Sequence, residues 1–399
     1  MLAYTFYETD NRVRRYSETL IRRGDTVDAI VLRRENQSAR EIISGVGIYR
    51  IQKRTRDEKG PLSYLFKLLI FFMRSAWTLT VQHTKAPYDF IHVHSMPDFL
   101  VFATLIPRLM GAKVLLDIHD IVPELYASKF EISDKSFLFY LLVLMERLSV
   151  RFAYHVIVAN HLWCDRIVRR SASSLAHCST ILNYPDPAVF SRRPRTTVSN
   201  SDFVICYPGT LSWHQGVDLV VRALAVLPRD TVNVRLLVLG DGAERTRLLS
   251  LASQLGVQER VSITGGVPLE QVAEVMANVD LGIEPKRKRS FANEALSTKI
   301  LEFMAMGVPV LAADTHVHKL YFKDDLIEFF ESENVADLAA KIISILENPL
   351  KREALALRGL AFIQQNNWDV KKHEYLNLLD SAMKGPQQRA KPTHLRRAT

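Results

Sequence analysis

The feature that most constrains this chain is a rhythm of short, β-branched apolar runs alternating with helical stretches, a rhythm that begins twice. In the first half, runs at 2–6, 27–32, 47–53, 90–94, 113–117, 155–159 and 179–182 read as strands. After a polar segment rich in Pro and Ser, a second series follows at 204–209, 234–240, 261–265, 279–284 and 308–313. Strands alternating with helices predict parallel sheets with covering helices, because each parallel neighbour needs a crossover connection. Two such series predict an α/β protein with one domain over 1–190, a linker over 191–202 and a second domain over 203–364. A final helix is expected over 365–383, and the basic tail 384–399 is expected to be disordered. With 399 residues, 48% of them hydrophobic, the chain can bury two cores.

Charge narrows the function classes. The net charge is +9 and is unevenly spread: residues 1–80 carry 15 Lys and Arg against 9 Asp and Glu. That asymmetry points the first domain toward an anionic surface, either lipid or polyanion, unless it is a solvated face. Two apolar stretches, 62–79 and 137–145, are interrupted or followed by charges and are too short to span a bilayer. The first, aromatic and flanked by bases, reads equally as an interfacial helix and as a buried amphipathic one. Cys164, Cys178 and Cys206 have no metal or redox spacing and read as reduced thiols of a cytoplasmic protein. No signal peptide is expected, because LAYTFY reads directly as a first strand.

One segment concentrates the chemistry: Phe291 to Ala313, FANEALSTKILEFMAMGVPVLAA. Ser297 or Thr298 is placed to cap a helix, and Gly307 to end it in the left-handed conformation. Residues 299–306 are apolar except Lys299 and Glu302. A carboxylate in such a helix is costly to bury unless donors surround it. Eight residues of helix separate Glu294 from Glu302 by about 12 Å, so the two carboxylates cannot form one acid pair. They are expected to hold different parts of one elongated ligand.

This segment resembles the donor signature of retaining glycosyltransferases of family 4, and the likeness runs along nearly the whole chain. The resemblance implies the GT-B fold, two Rossmann-like domains facing across a deep cleft, with the last helix crossing back to the first domain. It implies that Glu302 accepts hydrogen bonds from both ribose hydroxyls, that Glu294 faces the donor sugar, and that Lys299 lies near the diphosphate. Independent of the family, carboxylate oxygens suit a vicinal diol, and free amides at a helix start attract phosphate.

The same resemblance assigns the remaining positions. YPGTL (207–211) and WHQG (213–216) match the family's diphosphate cradle, with Gly209 allowing close backbone approach. The family commonly has Arg and Lys where this chain has Thr210 and Gln215. Two cations are therefore missing, and Lys299 or a base of the KRKR run (286–289) is the expected substitute, with His214 as a donor. Gly240 belongs to the next loop, and Gly266 with Val267 falls where the backbone reads the nucleobase. In the first domain, His119 and Asp120 match a His-Asp pair at the cleft, and Arg12 is a candidate contact for an anionic acceptor or the diphosphate. His119 is expected near the transferred bond.

No Asp-x-Asp triplet or His/Cys cluster with metal spacing occurs, so neither a metal nor a cofactor is expected; the donor is a UDP- or GDP-linked sugar. Retention in the family is thought to use same-face attack, the leaving phosphate taking the acceptor's proton. The implied activity is hexosyl or N-acetylhexosaminyl transfer to a glycan or lipid-linked acceptor in bacterial surface polysaccharide synthesis, with possible docking on an anionic membrane and no nucleic acid partner. Three alternatives stay open: a sugar-nucleotide epimerase, a degenerate polyanion binder, and an NAD-dependent enzyme. The last lacks a G-x-G-x-x-G after the first strand.

Overall fold

The computed structural model describes residues 1–54, 61–130, 132–195, 202–228, 233–289 and 291–383. The tail 384–399 and half of the linker therefore lie outside the described residues. In the first domain the strands are β1 (Leu2–Ala3), β2 (Asp28–Arg33), β3 (Arg40–Ile43), β4 (Val46–Lys53), β5 (Phe90–His94), β6 (Lys113–Ile118), β7 (His155–Val158) and β8 (Cys178–Thr180). Around them lie α1 (Asn11–Arg23), α2 (Pro61–Lys85), α3 (Leu105–Leu109), α4 (Val122–Phe130), α5 (Phe137–Phe152) and α6 (His161–Ser171). The sheet order is β3-β4-β2-β1-β5-β6-β7-β8, parallel except for the β3–β4 hairpin, which the sequence reading had not found. Arg40, Glu41 and Ile42 of β3 are exposed, so this edge strand has no buried face to announce it.

The second domain has β9 (Asp202–Pro208), α7 (Val217–Val226), β10 (Asn233–Leu239), α8 (Arg245–Gln254), β11 (Val261–Ile263), α9 (Leu269–Met276) and β12 (Leu281–Glu284). After these come α10 (Thr298–Met306), β13 (Val310–Ala313), α11 (His316–Tyr321), β14 (Glu328–Phe330), α12 (Val335–Glu347), α13 (Pro349–Gln365) and α14 (Trp368–Met383). This sheet is parallel throughout, in the order β11-β10-β9-β12-β13-β14. Central strands such as β12 and β13 are buried along their whole length, as expected of a sheet covered on both faces. Each sheet reverses its strand order once, at β1/β5 and at β9/β12. In open parallel sheets the crevice at that point, beyond the carboxyl ends, is where ligands bind.

Helix α14 leaves the second domain and docks on the first. Trp368 Nε1 donates to Thr19 at 2.8 Å, the Tyr375 hydroxyl meets His92 Nδ1 at 3.0 Å, and Arg23 pairs with Asp380. Trp368, Tyr375 and Leu379 are buried with Tyr16, Leu115 and Ile157 of the first domain. This wrap ties the two lobes together around the cleft.

Helix α2 is buried along one side and exposed along the other. By length and composition, Ser63–Lys85 is long and apolar enough to cross a membrane. However, Leu68, Phe71 and Leu79 are buried in the first core, and Arg74 donates to the Ile51 carbonyl. The helix therefore lies along the sheet, with Phe66, Met73 and Trp77 exposed on its outer side. Cys164 and Cys178, free and buried, come into contact at 2.8 Å although their sequence spacing gave no sign of it.

Candidate active site

A cavity of about 530 Å³ separates the two carboxyl-end faces, walled by Arg15, His119 and Asp120 on one side and Thr298, Leu301 and Glu302 on the other. The second wall is the first turn of α10. Ser297 is its N-cap residue in extended conformation, but its hydroxyl makes no capping bond, which corrects the expected side-chain cap. The first amides of α10 thus lack a side-chain partner on the cavity side, and such a terminus favours anions. Gly307 ends the helix at φ 72°, in the left-handed region as expected.

Glu302 lines this cavity, partly buried. Burial raises its pKa to about 7, Lys299 and the Thr298 side chain pulling the other way. Its carboxylate is thus held where donors from a ligand would lower the cost of its charge.

Lys299 is fixed by a residue that sequence reasoning missed. Glu284, at the carboxyl end of β12 and 1% exposed, sits 3.3 Å from Lys299 Nζ and 3.6 Å from Lys286 Nζ. Burial works against the Glu284 charge, but the two ammonium groups outweigh it and keep its pKa below the usual value. Burial likewise opposes the Lys299 charge, and Glu284 reverses that, raising its pKa. The Lys299 ammonium also lies 5.0 Å from the centre of the Tyr207 ring. The available signal was a charge ending the short apolar run LGIE.

Lys299 runs against the turn after β9. A Cβ at Gly209, whose φ is 144°, would meet Lys299 Cε at 2.6 Å. Gly240 packs on the same turn, where a Cβ would fall 1.8 Å from the Gly209 carbonyl oxygen. These two glycines bring the loops after β9 and β10 together at the switch point of the second sheet. Thr210 is exposed, while Gln215 is partly buried with its Oε1 unpartnered. Gly266 and Val267 lie on the loop between β11 and α9 and are not part of the cavity wall, which Leu269 reaches.

The basic run 286–289 is largely spent on protein partners. Lys286 donates to the Ala295 carbonyl, Arg287 forks onto Asp218, and Lys288 pairs with Asp314. Of the expected substitute cations, Lys299 is the one beside Gly209. His214 contacts Ser212, and burial, with Lys286 and Lys299 nearby, depresses it to about 4, so its ring is neutral near pH 7.

Arg12 lines this cavity as well. Its guanidinium grips Asp117 with two hydrogen bonds of 2.7 and 2.8 Å and donates to the Ile181 carbonyl. This fork is committed to a fully buried carboxylate, so Arg12 braces Asp117, while its Nη1 has no hydrogen-bond partner within the protein. Arg14, Arg15 and Arg22 of the same helix also line the cavity, and Arg15 donates to the Tyr184 carbonyl and to Asn183. Glu294 departs from expectation. It pairs with Arg166 at 2.6 Å, its carbonyl accepts from Asn160, and it is not on the cavity wall. In this arrangement it bridges the two lobes.

His119 stands at the cavity edge with Nε2 3.2 Å from Asp117 Oδ2 and 3.1 Å from His94 Nδ1. Asp117 thus anchors both Arg12 and His119. Behind it His92 and His94 stack with ring centres 4.2 Å apart, so β5 and β6 assemble a histidine cluster that linear spacing did not reveal. His92, His94 and Asp117 offer ligand atoms within 4.8 Å of one another. Both Asp117 oxygens already accept from Arg12, and a metal there would face that guanidinium, so the cluster does not fit a cation. Burial depresses the pKa of His94 well below the usual value, the neighbouring His92 adding to it. Asp120 is raised to about 6 by burial, opposed by His119 and by Lys286 of the facing lobe.

Comparison with known proteins agrees with this layout. Residues 9–176 match the Glycosyl transferase 4-like domain, and residues 191–360 match Glycosyl transferases group 1. The chain belongs to the GT-B glycosyltransferases. A GDP-mannose-dependent alpha-(1-6)-phosphatidylinositol monomannoside mannosyltransferase of Mycolicibacterium smegmatis is 35% identical over 131 residues, 32% of this chain and 34% of the relative. The chain spans less than half the length of the first curated relatives it matches. Among solved structures, sucrose-phosphate synthase from Thermosynechococcus elongatus superposes with a TM-score of 0.76 at 19% identity, covering 96% of this GT-B chain and 98% of the other. Anabaena HepE in complex with UDP and glucose superposes with a TM-score of 0.70 at 17% identity, over 95% and 98% of the two chains.

Proposed function

We propose that this GT-B protein transfers a hexosyl or N-acetylhexosaminyl group, with retention and without a metal, from a UDP- or GDP-linked sugar to a glycan or lipid-linked acceptor. The observation that carries the reading is Glu302 and the uncapped start of α10 on one cavity wall, with His119 and Asp120 on the other. The Glu302 carboxylate accepts from the ribose diol, and the α10 amides with Lys299 bind the diphosphate. His119, held by Asp117, orients the acceptor hydroxyl. That hydroxyl oxygen forms the new bond to the anomeric carbon as the bond to the leaving phosphate breaks. Its proton passes to that phosphate, so the protein supplies positioning and charge stabilisation and no covalent nucleophile.

The relatives include enzymes whose names specify phosphatidylinositol acceptors, and α2 exposes aromatic and basic side chains together. Both support peripheral docking on a membrane; the inner face of a bacterial membrane and surface polysaccharide synthesis are part of the same proposal. Thermal-shift measurements with UDP-, GDP-, ADP- and dTDP-sugars, with and without EDTA, test the donor. One nucleotide sugar is expected to raise the melting temperature equally under both conditions. Stabilisation that vanishes with EDTA, or by polyanions alone, would overturn the reading.

A further inference from the structure

Lys299 stands beside the turn at Gly209, yet its charge is already engaged inside the protein. Glu284 closes β12 at 1% exposure and turns one oxygen to each of two lysines. Its Oε2 lies 3.3 Å from Lys299 Nζ, and its Oε1 lies 3.6 Å from Lys286 Nζ. Neither oxygen has a hydrogen bond of full geometry, so both contacts are ionic. The two lysines differ in freedom. Lys286 is 5% exposed and donates to the Ala295 carbonyl at 2.9 Å, which fixes its ammonium group. Lys299 belongs to the first turn of α10 and keeps 15% of its side chain exposed.

We propose that Lys286 is a positioning residue for the donor: it holds the Glu284 charge while Lys299 turns from that carboxylate to the diphosphate. The inference rests on the nucleotide-sugar reading above. A carboxylate buried as deeply as Glu284 is stranded when its last cation leaves, and stranding a buried ion is strongly unfavourable. With Lys299 as the sole partner of Glu284, the lysine would exchange one anion for another and gain little. With Lys286 fixed at the other oxygen, the carboxylate stays compensated and Lys299 is released. Thr210 and Gln215 bring no charge to this wall, so the release of Lys299 decides how much side-chain charge reaches the diphosphate from it.

The charges around Lys286 make this role dependent on pH. It faces Glu284 of β12, Lys299 of α10, His318 of α11, His214 of the loop before α7 and, from the other lobe, Asp120. Burial lowers Lys286 to about 8, against the pull of Glu284. His214 and His318, both depressed by burial to about 4, are neutral above pH 7, and Asp120, near 6, is ionised there. Lys299, raised by Glu284 despite its burial, keeps its charge. Lys286 is therefore the member of this set that changes charge between pH 7 and 9. Once it is neutral, Glu284 depends on Lys299 alone, and donor affinity falls as pH rises through 8. Glu302, near 7, acts in the opposite sense and has ionised before that point.

Calorimetric titration of the full chain with UDP and GDP, at about pH 7.5 and about pH 9, tests this on the wild type, Lys286→Met, Glu284→Gln and the double variant. The nucleotide that binds the wild type is expected to bind Lys286→Met about ten- to a hundredfold more weakly, because Glu284 then retains Lys299. In the Glu284→Gln background no carboxylate can be stranded. The double variant is therefore expected to bind within about threefold of Glu284→Gln, a recovery that a purely structural role of Lys286 does not give. Raising the pH should weaken binding severalfold in the wild type and not in Glu284→Gln. Equal binding by Lys286→Met and the wild type, or the same loss in both backgrounds, overturns the proposal. If Lys286→Met does not fold, the pH comparison decides, and parallel profiles in the wild type and Glu284→Gln overturn it. Failure of both nucleotides to bind the wild type overturns the donor reading, and this inference with it.

Discussion

Replacing Glu302 by Gln separates function from stability, because this carboxylate burdens the fold that displays it. Its pKa stands near 7 against an ordinary 4.5, burial being the first cause. A carboxyl group whose folded pKa is raised binds protons more tightly in the native state. Its stabilising contribution is therefore complete below about pH 4.5 and is lost as pH rises through 7. At 1.36 kcal/mol per unit, this gap caps the cost near ~3 kcal/mol, and water in the cavity reduces it to about 1–3 kcal/mol. Gln keeps the shape and cannot ionise. The variant is thus expected to melt several degrees above the wild type at pH 8 and together with it at pH 4.5, in scanning calorimetry at both pH values. Donor affinity moves in the opposite direction. Two charge-assisted hydrogen bonds to a diol contribute about 1.5–3 kcal/mol each, so binding of the nucleotide sugar should weaken at least a hundredfold. Unchanged melting at pH 8, together with unchanged donor affinity, would refute both the burial argument and the place of Glu302 in the site.

Removing the imidazole with His119→Ala is expected to reduce turnover by about 10²- to 10⁴-fold while nucleotide-sugar affinity changes little. Steady-state rates set beside titrated affinities decide this, and an equal loss in both would make His119 a positioning residue. Gly240→Ala places a methyl group where the Gly209 carbonyl lies, at 1.8 Å, so the loops after β9 and β10 must part. Urea unfolding should show a loss of about 1–3 kcal/mol with weakened donor binding, and an unchanged midpoint would show that the loops yield freely.

Much of this architecture was legible because burial writes itself into sequence. A strand such as VLAA is covered on both faces and is apolar throughout, so its run stands out. The hairpin strand β3 and the edge strand β14 escaped, one exposed and the other only three residues long. Glu302 and Lys299 were likewise visible as charges in an apolar helix, and Gly307 as its left-handed end.

What stayed hidden was which charge meets which. Nothing in the order of residues says that Arg12 answers Asp117, 105 positions later, or that Glu294 is taken by Arg166 across the lobes. Nor does it say that Glu284 fixes Lys299. The sequence by itself determined two parallel sheets, their division and the apolar helix bearing an acid, because solvent exclusion acts on each segment separately. The tertiary structure alone decided which cations are committed and which cavities adjoin His119. Electrostatic partnership depends on distances of a few ångströms between groups that only the folded chain brings together.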